Sequence, residues 1–320
     1  MRVFSCASFG YCCFAATLAL QITPTARAAP ALFDANDNDA VANPPGGPQP
    51  SPTQAGWTGI TQTGLTGVAT SFGTLDVSIV RVLGDPATDD RDRGQLVGGT
   101  HPLSNVLRDF ISIGGAPATT GAGTLDIVVS GMNSGNYLFG VFIHDNTVNH
   151  LLEDIELSVN SGASFTLEVD DTFVSTGTNP SKVGTASFEF AANGTDSVHF
   201  RMIAQGGTIG FPTLDNAHFN GFVIEPITEL GDFNGVGGVT TADFFILSDN
   251  LGDQSGANWI GHAGGDLNLD GIVNLDDFGQ FKDLFPQVFA AATGVPEPSS
   301  VGLATLASVA GLFALRRRRQ

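Results

Sequence analysis

The chain reads as mainly β, with an antiparallel β-sandwich over residues 57–228 and a small α-helical unit after it. Three observations predict this. Apolar and polar residues alternate along a series of short segments. Glycine, asparagine and aspartate separate those segments. Near the C-terminal end, two acidic stretches lead into segments with helical rather than strand spacing.

Residues 1–28, "MRVFSCASFGYCCFAATLALQITPTARA", combine an early arginine, an apolar run and a small-x-small close at Ala26-Arg27-Ala28. That is the pattern of a secretory signal peptide, cleaved after Ala28. All 3 cysteines lie in this leader, so the exported body is predicted to use no disulfide, cysteine nucleophile or thiolate metal site. Of the 13 basic residues, Arg2, Arg27 and Arg316 to Arg319 lie in the end segments, which leaves 13 − 6 = 7 against 32 acidic ones. So acidic a body is repelled by nucleic acid and attracts divalent cations. Residues 29–56 are rich in proline, glycine, asparagine and aspartate and read as a flexible lead-in with an unpaired edge segment at most.

The strands follow in order. "TLDVSIVRVL" turns Leu75, Val77 and Ile79 inward and Asp76 and Ser78 outward. "TLDIVVSG", "DIELSVNSG" and "SFTLEVDD" repeat the pattern with Leu125, Ile127 and Val129, with Ile155, Leu157 and Val159, and with Phe165, Leu167 and Val169. "NYLFGVFIHD", residues 136–145, is apolar on both faces and predicts a central strand. "SFEFAANGTDSVHFRMIA" predicts a hairpin joined at Asn193-Gly194, and "HFNGFVIEPI" one closing strand ending at Pro226. In "HPLSNVLRDFI", Leu103, Val106, Leu107, Phe110 and Ile111 predict a short helix after Pro102. About eight or nine strands with turns between them argue for a jelly-roll-like sandwich. Its "LRDFI", "GNYLFGVFIHD" and "FNGFVIEPI" segments resemble galactose-binding-like jelly rolls, and that resemblance implies carbohydrate as the ligand class.

Catalytic signatures are missing from the sequence. No GxSxG elbow, HExxH helix or phosphate-binding glycine loop is present, and the chain is expected not to be an enzyme. In "HDNTVNHLLED", His144, Asp145, His150, Glu153 and Asp154 read as solvated loop residues rather than a metal or acid–base cluster. Arg91 and Arg93 in "TDDRDRGQL" read as part of a self-paired loop. Once Tyr11 leaves with the leader, Trp57, Trp259 and Tyr137 are the remaining Trp and Tyr residues, so a sugar site is expected among loop polar groups around Trp57 or Tyr137.

The acidic stretches carry the sharpest signal. A twelve-residue calcium loop places oxygens at positions 1, 3, 5, 7, 9 and 12 with glycine at 6. Residues 266–277 supply Asp266, Asn268, Asp270, the carbonyl of Ile272, Asn274 and Asp277, with Gly271 at the bend and Val273 buried. Residues 232–243 supply Asp232, Asn234, the carbonyl of Gly238, Thr240 and Asp243, with Gly237 at the bend. Only position 5 departs, where Val236 stands in place of an acid. Helical segments follow each loop, with Phe244, Leu247 and Leu251 on one and Phe278, Phe281, Leu284 and Phe285 on the other. This pair of loop–helix units resembles the type I dockerin repeat pair. The resemblance implies Ca2+ as cofactor and a cohesin-like partner, although Thr241-Ala242 and Leu275-Asp276 differ where symmetric docking would want them alike.

At the C-terminal end, residues 295–320 hold Val295-Pro296-Glu297-Pro298, an apolar run from Val301 to Leu315 and four arginines. Fifteen residues rise about 22 Å as a helix, short of the ~20 residues that span a bilayer comfortably. The arginines would stay cytoplasmic and leave the body outside. The order of motif, span and arginines resembles the PEP-CTERM sorting signal of bacterial envelope proteins. It implies an exosortase-type enzyme as partner, with a permanent membrane anchor as the alternative. The expected division is a signal peptide (1–28), lead-in (29–56), sandwich (57–228), dockerin-like calcium module (229–287), linker (288–294) and sorting signal (295–320) with a transmembrane segment at 300–315. The expected role is a surface-associated, calcium-binding structural or adhesive envelope protein. Its rival is a polysaccharide-degrading component attached through a dockerin–cohesin contact.

Overall fold

A computed structural model describes residues 28–36, 51–83, 88–92, 101–113, 123–145, 152–173, 175–176, 183–205, 217–255 and 258–293. The strands are β1 (Ala31–Ala35), β2 (Thr58–Ile60), β3 (Leu65–Thr70), β4 (Gly73–Leu83), β5 (Thr88–Asp92), β6 (Asp109–Ile113), β7 (Thr124–Met132), β8 (Gly135–Phe142), β9 (His144–Asp145), β10 (Leu152–Ser158), β11 (Thr166–Phe173), β12 (Ser175–Thr176), β13 (Thr185–Ala192), β14 (Val198–Ala204), β15 (Ala217–Phe219) and β16 (Gly221–Ile227). The helices are α1 (Thr241–Asp249), α2 (Leu275–Leu284) and α3 (Pro286–Thr293).

Two sheets form a mainly β sandwich, one in the order β13-β8-β16-β1-β2 and the other β11-β10-β14-β7-β4-β3. Smaller sheets, β15-β6-β5 and β12-β9, flank them. The alternation read from sequence places Leu75, Val77, Leu125, Ile127, Val129, Ile155 and Leu157 in the core between the sheets. Apolar side chains in alternate positions leave water together on one face of each strand, which is the main force holding the layers. Strand β8 sits between β13 and β16, as its two apolar faces require. Tyr137, Phe139 and Val141 point into the inter-sheet core, and Leu138 and Phe142 into a second cluster on the outer face.

Five expectations are corrected. The lead-in contributes β1, which pairs antiparallel with β16 and parallel with β2, and its Phe33 is 1% exposed and stacked on Phe222 at 4.6 Å. Five residues, ALFDA, are too short to announce a strand against their polar flanks, yet long-range pairing makes them central. The Asn193-Gly194 turn is no hairpin: β13 pairs with β8 in one sheet and β14 with β7 and β10 in the other. Asn193 Oδ1 accepts from the Thr195 and Asp196 N–H groups (2.9 Å each), closing a side-chain turn that carries the chain between layers. After Pro102 the chain makes only a 3-10 turn, Val106–Arg108, although Leu103, Val106, Leu107, Phe110 and Ile111 are all buried as expected. The expected linker at 288–294 is largely α3, whose Val288, Phe289 and Ala292 pack on the core of the helical unit. The predicted single closing strand is divided at Asn220 into β15 and β16, which belong to different sheets.

Burial of one carboxylate in β1 gives a pH signature. Asp34 is 0% exposed and accepts from the Gln54 N–H at 2.5 Å. Burial pushes its carboxyl up to about 7, although that hydrogen bond and the Arg108 charge pull the other way. A folded-state value raised above the unfolded one means that this group stabilises at low pH and loses that contribution as pH climbs from 4 through 7. Asp34→Asn is therefore expected to raise stability by on the order of 3 kcal/mol at pH 8 and by little at pH 4. Urea denaturation at the two pH values checks this, and equal effects at both would refute it.

Candidate functional site

Two acidic loops precede α1 and α2, and the same local chemistry builds both. Thr240 and Asn274 cap the helices, and Asp243 and Asp277, at the third helical position, accept hydrogen bonds in return from the cap residues' N–H groups at 2.8 Å. The loop-closing acids thus anchor each helix start. Gly237, Gly238 and Gly271 take positive φ (81°, 74° and 85°), the conformation that tight oxygen-rich turns need.

In the second loop Asp266 is 0% exposed, with Oδ1 accepting from Asp270 N–H (3.1 Å) and Oδ2 from Gly271 N–H (2.9 Å). Asp270 accepts from Ile272 N–H (2.9 Å) and from Asn268 Nδ2 (3.2 Å). Asp277 accepts from Leu267 N–H (2.8 Å), and Asn274 Nδ2 reaches the Ile272 carbonyl at 3.3 Å. The chain places no lysine or arginine between residues 229 and 281. Burial, together with repulsion from Asp270, Asp277 and Glu225, holds the Asp266 carboxyl well above the ordinary carboxylate range. Burial likewise raises Asp270 to about 6 and lifts Asp277.

The first loop is looser. Asp232 is 1% exposed, its Oδ1 accepts from Val236 N–H at 3.0 Å, and its Oδ2 has no hydrogen-bond partner. Asn234 Oδ1 accepts from the same N–H at 2.7 Å, and Asp243 accepts from Asn234 N–H at 3.0 Å and from Thr240 Oγ1 at 2.9 Å. A buried carboxylate oxygen without a partner and a set of carboxylates without a countercharge suit a hard divalent cation with oxygen ligands. Calcium would be held by Asp232, Asn234, Gly238, Thr240 and Asp243 in one loop and by Asp266, Asn268, Asp270, Ile272, Asn274 and Asp277 in the other. The ion would supply positive charge where the chain has only negative.

The sandwich holds polar groups that sequence reasoning misplaced. His144, Asp145 and Glu153 are buried (1%, 4% and 1% exposed) rather than solvated. His218 Nδ1 lies 2.8 Å from Glu153 Oε1, which also accepts from the His218 N–H at 3.1 Å. His150 and Arg93 lie outside the described residues. The 88–92 segment is β5, paired with β6, rather than a loop. Asp154 bonds Gln205 and Asp171 N–H, and with Asp170 and Asp171 brings one carboxylate oxygen each within 4.8 Å of the others, a tighter gathering than the loop acids show among the described residues. Trp57 and Tyr137 are 8% and 2% exposed, so neither is a stacking platform for a sugar. Both rings serve the cores instead.

Residues 294–319 match the family model of the PEP-CTERM protein-sorting motif. The chain is an exported, envelope-associated protein. Its sorting motif implies processing by an exosortase-type enzyme. Val295, Pro296, Glu297, Pro298 and the 300–315 segment lie outside the described residues, and among the described residues no helix is long and apolar enough to cross a membrane. No curated protein matches the chain. Similar solved structures include a chain of the plant peptide RALF23 in complex with FER and LLG2 (8% identity, TM-score 0.34), covering 64% of this chain and 41% of that one. A family 35 carbohydrate binding module from an environmental isolate has 15% identity and a TM-score of 0.28 over 47% of this chain and 92% of the module. CBM35 from Paenibacillus barcinonensis has 17% identity and a TM-score of 0.22 over 48% and 94%. The chain thus spans about two-fifths of the length of the first of these.

Proposed function

We propose that this protein is a secreted, calcium-binding structural or adhesive component of the cell envelope, without catalytic function. Buried acids without a basic partner in 229–281 carry the reading: Asp266 and Asp232 are 0% and 1% exposed, and Asp232 Oδ2 has no hydrogen-bond partner. Charges so placed are costly until a cation joins them. Carbohydrate is the ligand class we assign to the sandwich, on its resemblance to galactose-binding-like folds. A partner contact through the helical unit is supported by Leu275 and Phe245, which are 73% and 52% exposed although apolar. A cohesin-like module is the partner class for that surface.

The two loops are expected to differ in affinity. Val236 removes one negative ligand from the first loop, whereas Asp270 occupies that position in the second. Calorimetric titration of the exported chain should resolve two unequal calcium sites, the weaker removed by Asp232→Ala and the tighter weakened by Asp270→Ala. Tighter binding at the first loop, or no binding heat at all, would contradict the assignment.

A further inference from the structure

The second loop does more than face its own helix. Between Asn268 and Asp270, Leu269 takes φ +55° and is 0% exposed. Its side chain belongs to the outer-face cluster of the sandwich, with Trp57, Leu103, Leu138, Phe142 and Val223, and not to the core of the helical unit. A Cβ on Gly140 of β8 would lie 2.8 Å from Leu269 Cδ1, so the leucine is seated where only glycine leaves room. The Gly271 bend stands equally close to Leu103, at 2.8 Å from its Cδ1 to a would-be Cβ. Trp259 meets Trp57 edge to face at 5.6 Å and Phe142 at 6.2 Å. From β16, the 2%-exposed Glu225 accepts from the His262 and Ala263 N–H groups at 3.1 and 3.4 Å. The first loop has no such contact, because Gly235 occupies the position equivalent to Leu269.

We propose that the second loop is a calcium-dependent clasp: its acids fix the backbone on either side of Leu269, and the ion-loaded loop seats that leucine on β8 and closes the aromatic outer face of the sandwich. The inference rests on calcium binding at Asp266, Asn268, Asp270 and Asp277. Asp266 and Asp277 hold the N–H groups of Leu267, Asp270 and Gly271, so the geometry of the acids is the geometry of the leucine. Without a cation, Asp266, Asp270 and Asp277 are like charges gathered on the backbone of one turn, in a stretch with no lysine or arginine between residues 229 and 281. That strain is relieved by lifting the loop from the sheet. A cation cancels the repulsion and leaves the apolar contact to act.

The only 2 tryptophans of the chain, Trp57 and Trp259, meet at this contact and report on it. In the exported chain, chelation is expected to raise acrylamide quenching of tryptophan fluorescence by about twofold or more, as expected for local opening of a docked element. Leu269→Ala should still bind calcium by calorimetry yet stay quenchable in saturating calcium. Asp270→Asn, which removes one of the mutually repelling charges, should open less in chelator than the parent does, with circular dichroism verifying that each variant keeps its strand signal. Calcium heat with quenching indifferent to chelation would overturn the clasp and leave the binding site standing. Absence of calcium heat would overturn both.

Discussion

Asp266→Ala is expected to weaken the calcium binding proposed for the second loop by roughly a hundredfold or more and to abolish most of the calcium-induced rise in melting temperature that the proposal implies. The side chain is fully buried at the start of the loop, the first of the proposed ligand positions, and its two oxygens accept from the Asp270 and Gly271 N–H groups. The substitution therefore removes a ligand charge and the scaffold of the turn together. A ligand at a hundred times its Kd stabilises by about 2.7 kcal/mol, which for a domain of this size moves the midpoint by several degrees. That increment should vanish in the variant. In chelator the order should narrow or reverse above neutral pH, because ion-free Asp266 is a desolvated acid crowded by Asp270 and Asp277, and the alanine relieves it. Scanning calorimetry of both proteins with calcium and with chelator tests this. An equal calcium shift in variant and parent would remove Asp266 from the ligand set.

Phe139→Ala is expected to destabilise the sandwich by about 3–5 kcal/mol. Phe139 of β8 stacks on Phe200 of β14 at 3.8 Å between centroids and 6° between planes, joining the two sheets at their centre. Phe188 and Phe222 lie at 5.3 and 6.0 Å from the same ring. These three partner rings lose contacts if the Phe139 ring goes, and a close-packed interior cannot refill the space. Urea denaturation should show a lower midpoint with an unchanged slope. A loss below about 1 kcal/mol would mean that the sheets are held elsewhere.

How much of this was legible beforehand differs between the two regions. In the sandwich, period-two alternation placed Leu75, Val77, Leu125, Ile127, Val129, Ile155 and Leu157 correctly, because which side of a strand a residue faces is a local property. The partner of a strand is not local. Residues 31–35 are ordinary by themselves, and only their pairing with β16, almost two hundred positions later, makes them a strand between two others. Glu153 and His144 read as solvated because the buried partner of Glu153, His218, is 65 residues away. A histidine two positions before Asn220 carried no signal of its own.

For the acidic loops, the part that was local and legible is the backbone: a positive-φ glycine at each bend and an acid closing onto each helix start. Oxygen-bearing side chains at alternate positions, glycine at the bend and an acid closing onto the helix are determined by the spacing of twelve consecutive residues. The sequence by itself thus determined the inward faces of β4, β7 and β10, though not of β11, where Leu167 is 49% exposed, together with the acid-closed turns before both helices and the sorting motif at 294–319. Tertiary structure alone decided that β1 completes a sheet, that the Asn193-Gly194 turn bridges two layers, and that Leu269 leaves its own unit to sit on Gly140. The reason is physical: local periodicity states which surface a side chain presents, whereas what covers that surface depends on residues brought near only by folding.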